Sequence, residues 1–229
     1  MTEQEVEQLV RKTFDTLFGR NVDSFDIDRI DFLAAAVTSA KYAQQRMRKV
    51  SRLPNSPAIL DFALREAPPD GLILEFGVAS GGTINFIAER TARQVYGFDV
   101  FSGLPEDWRP GFPSGRFASA GLPSVRSNVE LVVGLFDRTL PEFFDKHPGT
   151  ISFAHIDCDL YSATNTVLHH IRSRIIPGSV LLFDEYFNYP EWEMHEFRAF
   201  REFVTAYDVS YEYIGLVPSH QQVAVRIIR

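Results

Sequence analysis

Along the first seventy residues the apolar positions recur at helical spacing. Val6, Leu9, Val10, Phe14, Leu17 and Phe18 share one helical face. After the polar break GRNVDSFD, a second helix is predicted from Asp28 to Ser51. Asp26, Asp28 and Asp31 stand at its start and Arg46, Arg48 and Lys49 at its end, the arrangement a helix dipole favours. Pro54 and Pro57 break it, a third helix follows, and PPDG at 68–71 closes the segment. From residue 71 the period changes. Short apolar runs at 72–76, 94–99, 129–134, 151–157 and 178–184 are separated mostly by helical patterns at 81–92, 137–146 and 160–174. Strands alternating with helices imply βαβ units and a parallel sheet. A helix over 191–206 precedes two more runs, SYEYIGL and QVAVRII. Too few residues separate them for a crossover, so they predict a hairpin and an antiparallel last strand. The chain therefore reads as a helical N-terminal extension, 1–70, and an α/β domain, 71–229. The connection 101–127 is long, holds several Gly, Pro and Ser, and carries Phe101, Trp108, Phe112 and Phe117; such a segment often acts as a lid.

Composition narrows the class. Forty-five per cent of the 229 residues are hydrophobic, enough for a sizeable core. The net charge of −7 argues against broad nucleic-acid binding, which needs a basic footprint. A lone cysteine, Cys158, excludes an internal disulfide framework and fits a reducing compartment. The opening MTEQEVEQLV does not read as a secretory signal or transit peptide, and no apolar run has the length of a membrane span. A cytoplasmic protein without membrane partners is expected.

The candidate chemistry begins at LILEFGVASGGTINF, residues 72–86. In an open parallel sheet, ligands bind beyond the carboxyl ends of the strands. The first of these strands ends at Glu75, Phe76 and Gly77, and Gly81 and Gly82 open the next helix, whose free N–H groups face the same crevice. The next strand ends at Asp99, where a carboxylate suits the two hydroxyls of a ribose. The glycine spacing is neither the dinucleotide fingerprint nor a phosphate-binding P-loop. A carboxylate such as Glu75 repels a pyrophosphate and attracts an ammonium. S-adenosylmethionine, with a ribose, an amino group and no phosphate, fits better than NAD or ATP.

Four acids, Asp157, Asp159, Asp184 and Glu185, follow the strands at 151–157 and 178–184. The fold would gather them in one crevice, and hard oxygen ligands suit Mg²⁺. A bound cation would lower the pKa of an acceptor hydroxyl and position its oxygen. The general base is open among His195, His220, Asp157 and water. Tyr186, Phe187, Tyr189 and Trp192 could line an acceptor pocket or pack as ordinary core.

The strings LEFGVASGGTINFIA, VYGFDVFSGLPEDW, GLFDRTLPEF, HIDCDLYSAT and PGSVLLFDEY occur in that order. Together they resemble the macrocin O-methyltransferase family of class I S-adenosylmethionine-dependent enzymes, over residues 70–206. The resemblance implies a Rossmann-like, seven-stranded, mostly parallel sheet with a helical extension over the active site. It implies a divalent metal and a sugar-like hydroxyl acceptor, often on a natural product. Carried over by position, Glu75, Gly77, Ser80 and Gly81 match the methionine end of the cofactor site, and the neighbouring Phe76, Gly82 and Thr83 go with them. Asp99 matches the ribose carboxylate, with Phe101 and Ser102 beyond it, and Leu135 and Phe136 flank the adenine. Asp157, Asp184 and residue 185 match the metal ligands, although Glu185 stands where the family usually has Asp. A metal-independent N- or O-methyltransferase, and a silent binding protein of the same fold, remain alternatives. Related enzymes are often dimers or larger, so homo-oligomerisation is expected by analogy.

Overall fold

A computed structural model describes residues 2–20 and 23–229. The alternating pattern becomes a single sheet of eight strands among the described residues. In chain order these are β1 Ser51–Arg52, β2 Leu72–Phe76, β3 Val95–Asp99, β4 Val129–Val133, β5 Ile151–Ile156, β6 Ile175–Phe183, β7 Tyr211–Leu216 and β8 Val223–Ile227. Their order across the sheet is β1-β7-β8-β6-β5-β2-β3-β4. Only β8 runs antiparallel, wedged between β6 and β7 by the predicted hairpin. The seven expected strands are all present. The eighth, β1, pairs Ser51 with Gly215 and Arg52 with Leu216, at residues expected to end a helix.

Among the described residues seven α-helices accompany the sheet: α1 Glu3–Phe18, α2 Ile27–Arg46, α3 Ser56–Glu66, α4 Gly82–Glu89, α5 Phe136–Lys146, α6 Tyr161–Ile171 and α7 Glu196–Ala206. Helix α2 stops at Arg46 because Met47 turns into the core, where it is fully buried. Asn55 caps α3 by accepting a hydrogen bond from the Ala58 N–H. The predicted helix 191–206 splits. Glu191 takes a left-handed conformation, a short 3-10 turn spans Trp192–Met194, and α7 begins only at Glu196.

Helices cover both faces of the sheet, so the central strand β5 buries all six residues, as parallel strands do. One core layer joins Leu74, Phe76 and Phe98 to α5, α6 and α7. The other packs Ile73, Phe153 and Leu182 against α3 and α4. From β2 the chain proceeds outward through β3 and β4, then returns to build β5 and β6 on the other side. The switch of direction lies between β2 and β5, and a crevice opens there beyond the strands' carboxyl ends.

Candidate active site

The crevice is a cleft of about 640 Å³, within the range that takes a drug-sized ligand. Its floor is the turn after β2. Gly77 sits at φ +94, and a Cβ there would lie 1.7 Å from the Asp157 carbonyl oxygen, so no larger residue fits. The Gly77 N–H donates to Phe98 O and the Asp157 N–H to Phe76 O, both at 2.9 Å, tying the three strand ends together. Asp99, at the tip of β3, organises the rest. Its Oδ2 accepts hydrogen bonds from the Val78 and Ala79 N–H groups, each at 2.8 Å, and its Oδ1 accepts from Phe101 N–H at 2.7 Å. Ser80, Gly82 and Thr83 continue the floor, and Gly134, Leu135, Phe136 and Asp137 form one side. The connection 101–127 walls the other side with Leu104, Trp108, Arg109, Phe112 and Phe117.

At the far end lies a row of polar side chains crossing the sheet. The His155 Nδ1–H donates to Glu75 Oε1 at 3.0 Å, and its Nε2 faces Asp184 Oδ1 at 3.6 Å. Gln222, just before β8, donates to the same Asp184 oxygen at 2.9 Å. Asp157 stands two residues beyond His155, on the same face of the strand. Carboxylate oxygens of Asp157, Asp184 and Glu185 lie within 4.8 Å of one another. Glu185 Oε2 is buried with no partner, while the Glu185 N–H donates to Glu196 Oε2.

So many acids in a small volume distort one another. Burial, then the Asp184 charge, pushes the Asp157 and Glu185 carboxyls well up, and raises Asp159 to about 7. Burial likewise raises Glu75, against the pull of His155, and lifts Glu196 well up. Burial alone would lower His155, but its neighbours Asp184 and Glu75 outweigh that and hold it well above the usual histidine range. Asp184, which burial alone would raise, is held down chiefly by His155.

A pH dependence follows. Raised carboxyls make the folded chain bind more protons than the unfolded one between the ordinary carboxylate range and about pH 7. Stability therefore falls as pH rises through that window. The raised histidine acts in the same direction, because its stabilisation is lost as pH rises through its folded value. Depressed Asp184 matters only at lower pH, where its contribution is lost as the pH falls. With divalent cations chelated, the Tm should be highest near about pH 5 and decline toward about pH 8. A calorimetric Tm that climbs over that interval would contradict this account of the buried acids.

Several expected site residues fall elsewhere. Glu75 is fully buried on His155 and does not line the cleft, because its side chain points along the sheet face toward β5 rather than out of the strand tip. Phe76 stacks on Phe98, 5.2 Å between centroids, in the core. Phe101 is buried in the α3–α4 layer, Ser102 is exposed beside the cleft, and Gly81 caps α4 behind Gly82. His220 is exposed on the β7–β8 turn, on the strands' carboxyl side but outside the cleft. His195 lies behind the wall, its ring 6.1 Å from those of Trp108 and Tyr189. Tyr186, Phe187, Tyr189 and Trp192 are core residues, none lining the cleft. Gly77, Ser80, Gly82, Thr83, Asp99, Leu135, Phe136, Asp157 and Glu185 all line it.

Other groups at the site carried little signal in the chain. His155 and Gln222 look like strand residues until the register sets His155 opposite Glu75 and Leu182, and Gln222 beside Asp184. The alternation His155-x-Asp157 was the available clue. Glu196 hid in a polar helix start, and Arg109 in a loop.

Residues 74–186 match a family described as a methyltransferase domain. A curated relative is the 8-demethyl-8-(2,3-dimethoxy-alpha-L-rhamnosyl)-tetracenomycin-C 4'-O-methyltransferase of Streptomyces olivaceus. It is 30% identical over 160 residues, covering 60% of this chain. The matched segment spans 60% of that relative's length. Among solved structures, the calicheamicin methyltransferase CalS11 superposes with a TM-score of 0.63 at 23% identity, covering 99% of this chain and 93% of that one. The O-methyltransferase NovP does so with a TM-score of 0.58 at 20% identity, covering 76% of this chain and 79% of that one. These superpositions establish the shared Rossmann-like fold. The methyltransferase resemblance of the motifs is borne out.

Proposed function

We propose that this chain, whose residues 74–186 match a methyltransferase domain family, moves the methyl group of S-adenosylmethionine to a hydroxyl of a small molecule. A sugar moiety of a natural product is the acceptor class, the kind of substrate printed in the name of the Streptomyces relative. The reading rests above all on Asp99, which braces the glycine turn and edges a cleft whose opposite end holds the acidic cluster.

In this reading Asp99 accepts the ribose hydroxyls with the lone pairs its three backbone donors leave free. Ser80, Gly82 and Thr83 take the methionine end, and Leu135 and Phe136 flank the adenine. The bound cofactor supplies a methyl carbon on a sulfonium, open to in-line attack. Glu75 meets the amino group only indirectly, by holding His155 in the sheet. The residues 1–70 act as an extension of the catalytic domain.

The acid cluster fits a divalent cation. Asp157, Asp184 and Glu185 converge, Glu185 Oε2 has no other partner, and their mutual repulsion calls for a positive charge. Such an ion, when bound, would supply the charge that acidifies an acceptor hydroxyl. The chain's own part is to hold these oxygens: Gln222 and His155 orient Asp184, and Glu196 orients the Glu185 backbone. The departing proton goes to Asp157 or Asp159, two of the carboxylates that line the cleft, since His195 and His220 lie outside it. A metal-independent transfer is the second reading, favoured by the engagement of Asp184 Oδ1 with Gln222.

Two measurements test these readings, the first methyl transfer itself and the second the role of the metal. S-adenosylhomocysteine should raise the Tm by several degrees at saturating concentration; no shift would end the methyl-transfer reading. Asp184→Asn should weaken Mn²⁺ binding, followed by electron paramagnetic resonance, by about tenfold or more. It should leave S-adenosylhomocysteine affinity unchanged. Wild-type protein that takes up no Mn²⁺ would leave the metal-independent version standing.

A further inference from the structure

The loop wall of the cleft holds a cation without a counter-ion. The Arg109 guanidinium lies over three rings, 4.0 Å from the centroid of Trp108, 4.7 Å from Phe112 and 4.6 Å from Tyr189. Its Nε is buried and has no hydrogen-bond partner, and no ion pair among the described residues includes it. The indole Nε1 of adjacent Trp108 is also buried and unpartnered, and so is Nε2 of His195 behind it. Buried polar atoms in folded proteins are nearly always paired, so three orphans around one aromatic cluster call for an explanation. Arg109 and Trp108 both line the cleft.

We propose that Arg109 and the Trp108 indole N–H bind a negatively charged group on the methyl acceptor, a phosphate or a carboxylate, beside the acidic cluster. This rests on the methyl-transfer reading of the cleft. Guanidinium and indole N–H groups donate only, so their partner must be an acceptor. The three rings hold the guanidinium fork in place, which suits bidentate capture of an oxyanion. A neutral hydroxyl would satisfy one donor and leave the charge uncompensated. The protein's own acids do not fill the role. Asp159 shares the cleft and feels the guanidinium, which counters the burial that raises its carboxyl, yet the two form no ion pair. The anion would thus anchor one part of the acceptor at the loop wall while its reacting hydroxyl faces Asp157 and Asp159.

The test is calorimetric titration of the full chain with three probes: dTDP-L-rhamnose, D-glucuronate and the neutral methyl α-L-rhamnopyranoside. EDTA is present throughout, so that no diphosphate–metal contact contributes, and each titration is run with and without S-adenosylhomocysteine. Wild type should bind at least one anionic probe about tenfold or more tighter than the neutral glycoside. The arm that binds identifies phosphate or carboxylate. Arg109→Met should erase that preference, and Arg109→Lys should retain part of it, with S-adenosylhomocysteine affinity and Tm unchanged in both. Equal binding of charged and neutral probes, no binding of either anion, or an unaltered preference in Arg109→Met would overturn the proposal. So would a parallel loss of S-adenosylhomocysteine affinity in Arg109→Met, which would place the arginine in the cofactor seat. Failure of the wild type to bind S-adenosylhomocysteine would instead remove the methyl-transfer reading, and the anion titrations without it would still report on Arg109.

Discussion

Asp99→Ala is expected to weaken S-adenosylhomocysteine binding by about 100-fold or more, close to 3 kcal/mol. Two losses add. The carboxylate is the proposed partner of the ribose hydroxyls. It also accepts three backbone hydrogen bonds, from Val78, Ala79 and Phe101, that hold the cofactor turn and the start of the 101–127 connection. Charge-assisted bonds of this kind are worth about 1.5–3 kcal/mol each, and their N–H donors would have to find water instead. Ala79 and Phe101 both sit at positive φ, at 45 and 56, conformations the turn must enforce. Hydrogen exchange should accordingly speed up at residues 77–80 and 101–103 while the distant strand β8 stays protected. Calorimetry showing unchanged affinity would discard the ribose assignment. Lost affinity with unchanged exchange would discard the bracing role.

Gly77→Ala carries the largest expected cost in stability, about 3 kcal/mol or more. The new methyl would lie 1.7 Å from the Asp157 carbonyl oxygen, and that backbone cannot retreat. Asp157 N–H is bonded to Phe76 O and Gly77 N–H to Phe98 O, so relief at one point breaks the joint between β2, β3 and β5. Gly121→Ala is the matched control. It has no heavy atom within 4 Å of the added carbon and its φ is not positive, so its Tm should move little. Urea denaturation giving equal midpoints for the two variants would show that the strand junction yields more easily than its geometry implies.

Most of the architecture is legible in the sequence alone. Strands β2 to β8 fall within a few residues of their predicted positions, because period-2 and buried apolar runs respond to burial on a sheet and little else. The glycine turn and Asp99 were found because a parallel sheet sends its strand ends to one edge, whereas Leu135 and Phe136 came from the family resemblance of the motifs. Where the reading failed, a distant partner was responsible. Residues 47–51 left the predicted helix because Met47 enters the core and Ser51 finds Gly215. The periodic face of α1 forms the predicted helix but buries none of its residues, since periodicity reports a helix and not what it packs against.

The site itself divides along the same line. Residue types and their order along the chain were enough to name the fold class, the cofactor turn and the acids at the strand tips. Those features depend on local conformation and on the rule that parallel strands point one way. Which of these groups face the cleft was settled by strand register and by packing between segments far apart in sequence. Glu75 turns to His155 and leaves the cleft, Gln222 reaches Asp184 from the turn before β8, and Arg109 is held by rings from two segments. A side chain's charge is written in its own residue, but its direction and its partner are supplied by neighbours tens of positions away.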